Sequence, residues 1–262
     1  GTMPPHSFSA RSSRPTAQLS RYLMEWLPEF SLSYSERKSI NDTNSVAQVR
    51  KAAQVVYDTD KYNKRGEFGE LLLHALMREA IGTEPAISKI FFKDAINATV
   101  KGFDAVHVLD TPQGLELWLG EVKFYKSIVK AISDVVPELE AHSQNDYLRK
   151  EFILITGKLD PNWSCTNRLT DLLHRNRSLD EIVSAIVVPV LLTYESSTAK
   201  SFTEASQAYK AALEAELQVN HSKFVAKNTM KRVRIELFLF PMASKDDLLT
   251  RLNRRLQAAQ EL

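Results

Sequence analysis

Three charged side chains lie in a segment that otherwise consists of two apolar runs separated by a short turn. The segment GFDAVHVLDTPQGLELWLGEVKFY, residues 102–125, carries Asp104 in its first run and Glu121 and Lys123 near the end of its second. Burying an unpaired carboxylate or ammonium is costly, so such side chains in a buried sheet usually have a partner or a chemical role. Two neighbouring carboxylates suit a hard divalent cation such as Mg²⁺. A lysine beside them could orient or help deprotonate a water, or offset the charge of a phosphate.

Strand geometry predicts that these side chains converge. Successive side chains of a strand point to opposite faces, so one face of the second run carries Leu115, Leu117, Leu119, Glu121 and Lys123. The connecting DTPQG is short and rich in turn residues, which favours an antiparallel hairpin. Asp104, near the start of the first strand, then lies close to Glu121. The alternative is that Glu-x-Lys is a solubilising feature of an exposed strand edge.

Two further acids precede the hairpin in RGEFGELLLHALMREAIG, where the periodicity predicts a helix over residues 66–81. Its apolar stripe is formed by Phe68, Leu71, Leu72, Ala75 and Leu76. Glu67, Glu70, His74 and Arg78 fall on another face. Either acid could reach a metal site, and either could instead stabilise the helix N-terminus through the helix dipole on a solvated face.

The chain divides into three segments by composition and periodicity. Residues 1–20 are rich in Ser, Arg and Pro and predict a flexible arm, whereas residues 21–63 predict a helical cap interrupted by Pro28. Residues 64–262 alternate apolar, β-rich runs with helical patterns. This predicts an α/β domain with a mixed β-sheet flanked by helices on both faces.

The elements of this domain follow from the same patterns. Strands are predicted at residues 102–109, 115–123, 152–157 (FILITG), 185–194 and 233–240. Helices are predicted at residues 66–81, at 127–150 with a kink at Pro137, at 203–217 and from Ser244 onward. A short helix is expected between the third and fourth strands.

Composition limits the possible partners and compartments. The 34 basic and 32 acidic residues nearly cancel, so any affinity for nucleic acid must come from local basic patches. Two stretches, KFVAKNTMKRVR and RLNRRLQ, supply the candidates Lys227, Lys231, Arg232 and Arg254. Cys165 is the single cysteine, and we expect a cytoplasmic protein without secretory or membrane segments. The histidines, His142 among them, lack metal-ligand spacing and are interpreted as ordinary core or surface residues.

The order and spacing of the acids and the lysine resemble the PD-(D/E)XK nuclease superfamily. Its pattern is a helix glutamate, a hairpin aspartate and a following Glu-x-Lys, matched here by Glu70, Asp104 and Glu121-Val122-Lys123. Phe103 stands where the superfamily name has proline. The segments GEFGE, GFDAVHV, LGEVKFY, VPVLLTYES and RIELFLFP also resemble the DUF1837 family, the HamA-like nuclease subunits of the Hachiman antiphage defence system.

This resemblance implies a restriction-endonuclease-like core and an Mg²⁺- or Mn²⁺-dependent deoxyribonuclease. Asp104 and Glu121 would hold the metal with the Val122 carbonyl and Glu70, and Glu67 is the alternative helix acid. Lys123 would position the attacking water. The resemblance also implies a helicase subunit as partner and DNA as substrate. Two alternatives are a stand-alone restriction-type endonuclease and a catalytically silent module that binds DNA or protein.

Overall fold

A five-stranded mixed sheet forms the centre of the part of the chain that the computed structural model describes, residues 14–56, 66–87, 102–230 and 232–262. Its strands follow chain order across the sheet: β1 (Glu84–Ile87), β2 (Ala105–Thr111), β3 (Gly114–Phe124), β4 (Ile186–Glu195) and β5 (Arg234–Met242). The β1–β2 and β2–β3 pairs are antiparallel, whereas β3–β4 and β4–β5 are parallel. Parallel neighbours require crossover connections, and helices supply them on both occasions.

Twelve α-helices surround this sheet within the described residues. Five precede β1: α1 (Arg14–Glu25), α2 (Leu27–Ser31), α3 (Tyr34–Lys38), α4 (Ser45–Val56) and α5 (Glu67–Leu76). The last of these continues into a π-helical turn at Met77–Ile81. Four connect β3 to β4: α6 (Ile128–His142), α7 (Asn145–Thr156), α8 (Thr166–Leu172) and α9 (Leu179–Ser184). The remaining three are α10 (Ser197–Ser201) and α11 (Gln207–Lys227) before β5, and α12 (Lys245–Gln260) after it.

Each face of the sheet buries its own apolar core. On one face, here called the α6 side, residues of α6, α7, α8, α9 and α11 pack against Val106, Leu117 and Leu119. On the other, the α5 side, residues of α1, α2, α4, α5 and α12 pack against Val122 and Phe124. The predicted fold class, an α/β domain with a mixed sheet flanked by helices, is confirmed and is consistent with a PD-(D/E)XK-like core.

The predicted strand at FILITG is wrong, because residues 152–156 belong to helix α7 and Gly157 is its C-cap. Leu148, Phe152 and Ile155 are buried at helical spacing, while Ile153 between them is 71% exposed. The run is rich in β-branched residues, but burial on one helical stripe outweighs that weak local preference. The helix predicted over 127–150 is correspondingly divided into α6 and α7, and Pro137 lies inside α6.

The N-terminal segments are more ordered than their composition indicates. Helix α1 begins at Arg14, so residues 14–20 of the predicted flexible arm are helical, and Ser20 and Leu23 are fully buried. Residues 1–13 of the arm and 57–63 of the predicted cap lie outside the described residues. Helices α1 and α4 both pack against α12, so the N-terminal helices and the C-terminal helix share the α5-side core.

A helix that crosses a membrane must be both long and apolar. None of the helices within the described residues meets both requirements.

Candidate active site

The predicted hairpin brings Asp104 to the end of β3. The antiparallel register of β2 and β3 pairs Ala105 with Gly120, and the Asp104 N–H donates to the Gly120 carbonyl at 2.7 Å. The Asp104 carboxylate in turn accepts a hydrogen bond from the Val122 N–H at 2.8 Å. Asp104 is therefore fixed beside β3, within one residue of Glu121 along the strand, and the predicted proximity of the two acids is confirmed.

Glu121 and Lys123 lie on the α6 side, as the alternation along β3 predicts. Glu121 is 2% exposed, and its Oε1 forms a hydrogen bond with Nδ1 of His142. The Lys123 ammonium forms an ion pair with Oε2 of Glu138. Glu138 and His142 are one turn apart on α6, so this single helix contacts both charged residues of the Glu-x-Lys motif.

The surroundings of Glu121 concentrate negative charge in a dry environment. The pKa of Glu121 is raised to about 7. Burial is the largest cause, the carboxylates of Asp104 and Glu138 act in the same direction, and the His142 hydrogen bond opposes them. Burial disfavours the charged form of Lys123, but the ion pair with Glu138 and the charges of Glu121 and Asp104 together outweigh it and raise the pKa of Lys123. A region with this balance of charge favours cations.

An aromatic group surrounds the histidine that contacts Glu121. The ring of Tyr147 stacks on that of His142 with centroids 4.3 Å apart and planes at 15°, and the Phe103 ring meets it edge-on at 5.2 Å. Glu151 on α7 is buried and accepts a hydrogen bond from the backbone N–H of Phe103. The helical hairpin formed by α6 and α7 therefore contacts the chain next to Asp104 as well as Glu121.

Sequence reasoning missed this second layer of residues. His142 was interpreted as an ordinary histidine, and Glu138 was not considered. A usable signal was present, because both fall on the stripe of the predicted 127–150 helix that carries its apolar residues, here Ala131, Val135 and Leu139. Polar residues on an apolar stripe indicate a buried partner. The pattern could not indicate which strand supplies that partner.

The two helix acids are placed on the opposite side of the sheet and differ in burial. Glu70 is 7% exposed, whereas Glu67 is half-buried at the start of α5. Helix α5 packs unusually close to β3, since a Cβ on Gly69 would lie 2.8 Å from side-chain atoms of both Val122 and Phe124. Glycine at this position therefore permits the close packing of the helix that carries Glu70.

The carboxylates do not form a closed metal cage. Within the described ranges, no group of three or more His, Cys, Asp or Glu side chains is arranged to hold a metal ion. Asp104 and Glu121 form a carboxylate pair, and such a pair leaves ligand positions for a backbone carbonyl and for water. This arrangement suits Mg²⁺ or Mn²⁺, because Mg²⁺ usually keeps several waters and is held by one or two carboxylates.

The candidate nucleic-acid residues are divided between the two sides of the sheet. Lys227 donates a hydrogen bond from Nζ to Ser133 Oγ of α6 at 3.2 Å. Arg232 contacts Asn145 and forms an ion pair with Asp180 at 2.6 Å, so both basic residues lie on the α6 side. Arg254 is exposed on α12, which packs on the α5 side. Lys231 lies outside the described residues.

Comparison with known proteins agrees with the resemblance noted in the sequence. A family model described as HamA matches residues 7–256 of the 262. No curated protein matches the chain. The family match spans both cores of the fold and all of the candidate active-site residues, and it covers well over half of the chain. The chain therefore belongs to the HamA family, whose members are Hachiman antiphage defence proteins.

Proposed function

We propose that this HamA-family protein is a metal-dependent deoxyribonuclease, the effector of an antiphage defence complex. The observation that carries the proposal is that Asp104 lies beside a buried Glu121 at the end of β3. Lys123 follows Glu121 two residues later and lies on the same, α6 side of the sheet. Neither a solubilising strand edge nor a folding requirement accounts for an acid that is buried among other acids. Phosphodiester hydrolysis accounts for this arrangement, because its transition state needs a cation held by carboxylates and an adjacent positive side chain.

Asp104 and Glu121 are the side chains that would hold Mg²⁺ or Mn²⁺, with the Val122 carbonyl as a further ligand. The observation in favour of this fit is that burial, together with the neighbouring carboxylates of Asp104 and Glu138, raises the pKa of Glu121 to about 7, since a bound cation stabilises the charged carboxylate. When bound, the metal polarises the scissile phosphate and lowers the pKa of its water.

Lys123 contributes a fixed positive charge. Its pKa is raised, so the ammonium stays protonated at neutral pH and acts as a hydrogen-bond donor and not as a base. Its assigned roles are to position the attacking water and to stabilise the charge that develops on the phosphoryl oxygens. The ion pair with Glu138 holds the ammonium beside Glu121 until a phosphate competes for it.

DNA is the proposed substrate, and a helicase subunit of the same defence system is the proposed partner. Lys227 and Arg232 support a DNA path across the α6 side, where their exposed charges can contact phosphates. Membership of the HamA family supports a multi-subunit defence system, and the helicase is the partner that the sequence resemblance implies. A partner that controls access would protect the host genome from a nuclease with little sequence preference.

The assignment is tested by cleavage of plasmid and linear DNA with Mg²⁺, with Mn²⁺ and with EDTA. Glu121→Ala and Lys123→Ala are each expected to reduce metal-dependent cleavage by about 100-fold or more, since each removes a group acting on the transition state. Asp110→Asn is the matched control for Asp104→Asn, because Asp110 is on the same hairpin but is exposed and paired with Arg168.

The control should cleave at the wild-type rate, whereas Asp104→Asn should not. Circular dichroism and thermal melting would establish that every variant is folded. Full metal-dependent cleavage by folded Glu121→Ala or Lys123→Ala would remove the nuclease assignment from this site.

A further inference from the structure

We propose that His142 is a positioning residue for the nuclease site, acting through Glu121. This inference rests on the proposed function and adds a residue outside the Asp104, Glu121 and Lys123 set. The imidazole does not need to touch the substrate. It sets the direction in which the Glu121 carboxylate is presented to a metal.

The position of the His142 ring is determined by packing. The side chain is 8% exposed and belongs to the buried stripe of α6. Tyr147 stacks on one face of the ring, and the Phe103 ring approaches at an interplanar angle of 66°. A ring held by two aromatic neighbours has little freedom to rotate, so the direction of its Nδ1 is fixed before any ligand binds.

Glu121 needs such a partner because a carboxylate group is free to turn about its last bond. Terminal torsions of this kind are broad, so the backbone of β3 does not by itself fix the plane of the two oxygens. The hydrogen bond between His142 Nδ1 and Glu121 Oε1 fixes that plane. Metal-ligating carboxylates are commonly oriented by hydrogen bonds of this type, whose loss typically costs about 10- to 100-fold in metal affinity or activity.

The same aromatic group reaches the other carboxylate of the pair. Phe103, which packs on the His142 ring, directly precedes Asp104 in the chain. Its backbone N–H donates to Glu151 of α7, so the segment entering the site is attached to the α6–α7 hairpin. Asp104 directly precedes β2 and Glu121 lies in β3, and the α6–α7 hairpin contacts the surroundings of both. Its contacts therefore fix the geometry of the pair and not only that of one member.

Two substitutions separate orientation of Glu121 from simple packing. His142→Phe keeps a ring between Tyr147 and Phe103 but removes the hydrogen bond to Glu121. His142→Asn removes the ring but places an amide N–H where Nδ1 lies. If His142 acts by orientation, His142→Phe should bind Mn²⁺ about 10- to 100-fold more weakly and lose cleavage by a similar factor. His142→Asn should remain closer to wild type in both measurements.

The measurements are isothermal titration of metal-free protein with MnCl₂ and cleavage rates at saturating Mn²⁺, with His221→Phe on the exposed face of α11 as control. Wild-type binding and cleavage by His142→Phe would overturn the inference. Equal losses in both variants would also overturn it, because the ring and not the hydrogen bond would then matter.

Should His142→Phe fail to fold, Tyr147→Leu replaces it, since loss of stacking frees the His142 ring. An unchanged Mn²⁺ affinity in that variant would contradict the proposal. Failure of the wild-type protein to bind Mn²⁺ or cleave would instead contradict the nuclease assignment.

Discussion

Buried histidines occur on both sides of the sheet, and their surroundings differ. On the α6 side, burial opposes the charged form of His142, but the Glu121 hydrogen bond and the charges of Glu121, Glu138 and Glu151 together outweigh it and raise the pKa of His142. On the α5 side, His74 of α5 lies 3.1 Å from His107 of β2, Nδ1 to Nε2, and His107 Nδ1 lies 2.8 Å from Thr83 Oγ1. Burial lowers the pKa of both of these histidines. They are neutral hydrogen-bonding groups at physiological pH, whereas His142 shares a proton with an acid.

The difference originates in the charged groups that surround the acid partner of each histidine. The carboxylate on the α5 side is Glu29, whose Oε1 lies 3.4 Å from His74 Nε2. Two arginines also pair with it, Arg78 at 2.5 Å and Arg37 at 3.3 Å, so its charge is already compensated. Glu121 has the carboxylates of Asp104 and Glu138 as neighbours besides His142 and Lys123, and its pKa is raised, whereas the pKa of Glu29 is lowered. Burial of a histidine therefore does not distinguish a structural network from a candidate active site, but the direction in which the pKa of its acid partner is shifted does.

Among the predictions that compare the two sides, the largest expected effect concerns Glu70, the α5-side acid that the sequence resemblance places at the metal site. Glu70→Ala should reduce Mg²⁺-dependent cleavage by about 10- to 100-fold, as expected when a residue that supports a metal site is removed. Glu67→Ala should remain within about threefold of wild type, since its side chain is half-buried at the helix start and serves mainly the helix dipole.

The two rates are compared in the same plasmid assay, with urea unfolding of both variants as the check on stability. The reverse order would show that the helix register is wrongly assigned. If both variants cleaved DNA at the wild-type rate, neither helix acid would have a role in cleavage, and the α5 side would serve only the fold.

The second prediction treats the α5-side histidines as a stability device. His74→Phe leaves the His107 Nε2 atom without its hydrogen-bonding neighbour and removes one of the three partners of Glu29, so the free energy of unfolding should fall by about 1–3 kcal/mol. Cleavage per folded molecule should stay within about twofold of wild type, in contrast to the loss expected for His142→Phe. Urea unfolding at pH 7.5 measures the first quantity, with the exposed His221→Phe as control. Loss of cleavage without loss of stability would contradict the distinction between the two sides.

The same variant tests the sign of the pH dependence. The pKa values of His74 and His107 are lower in the folded protein than their ordinary value of 6.5, so the unfolded chain binds more protons below that pH. Stability from this network is therefore complete above pH 6.5 and is lost progressively as the pH falls from 6.5 towards the lower pKa values of the folded protein. The charged groups that face this network are those of Glu29, Arg37 and Arg78. The stability difference between wild type and His74→Phe should accordingly be smaller at pH 5.5 than at pH 7.5.

The sequence predicted those features that depend on local geometry. The alternation along β3 places Glu121 and Lys123 on one face whatever packs there, and the short turn brings Asp104 beside them. Prediction from the sequence failed where the local structure depends on contacts with residues that are distant in the chain. FILITG fits a strand by composition, yet its burial against the α6-side core is helical. His142 fits a core histidine, and only the packing of α6 on β3 shows that its partner is Glu121.

The smallest effects are expected for the basic residues, and they test which side of the sheet faces DNA. Lys227 is exposed on the α6 side, so Lys227→Ala should weaken DNA binding by about two- to fivefold, as is typical of a single exposed charge contact. It should also reduce the slope of log affinity against log salt by about one. Arg254→Ala on the α5 side should change neither the DNA affinity nor its salt dependence.

Fluorescence anisotropy in EDTA, where no cleavage is expected, measures DNA binding by both variants at several salt concentrations. A reduced slope for Arg254→Ala but not for Lys227→Ala would mean that DNA crosses the α12 surface. The carboxylate pair would then lie on the wrong side of the sheet to cut it.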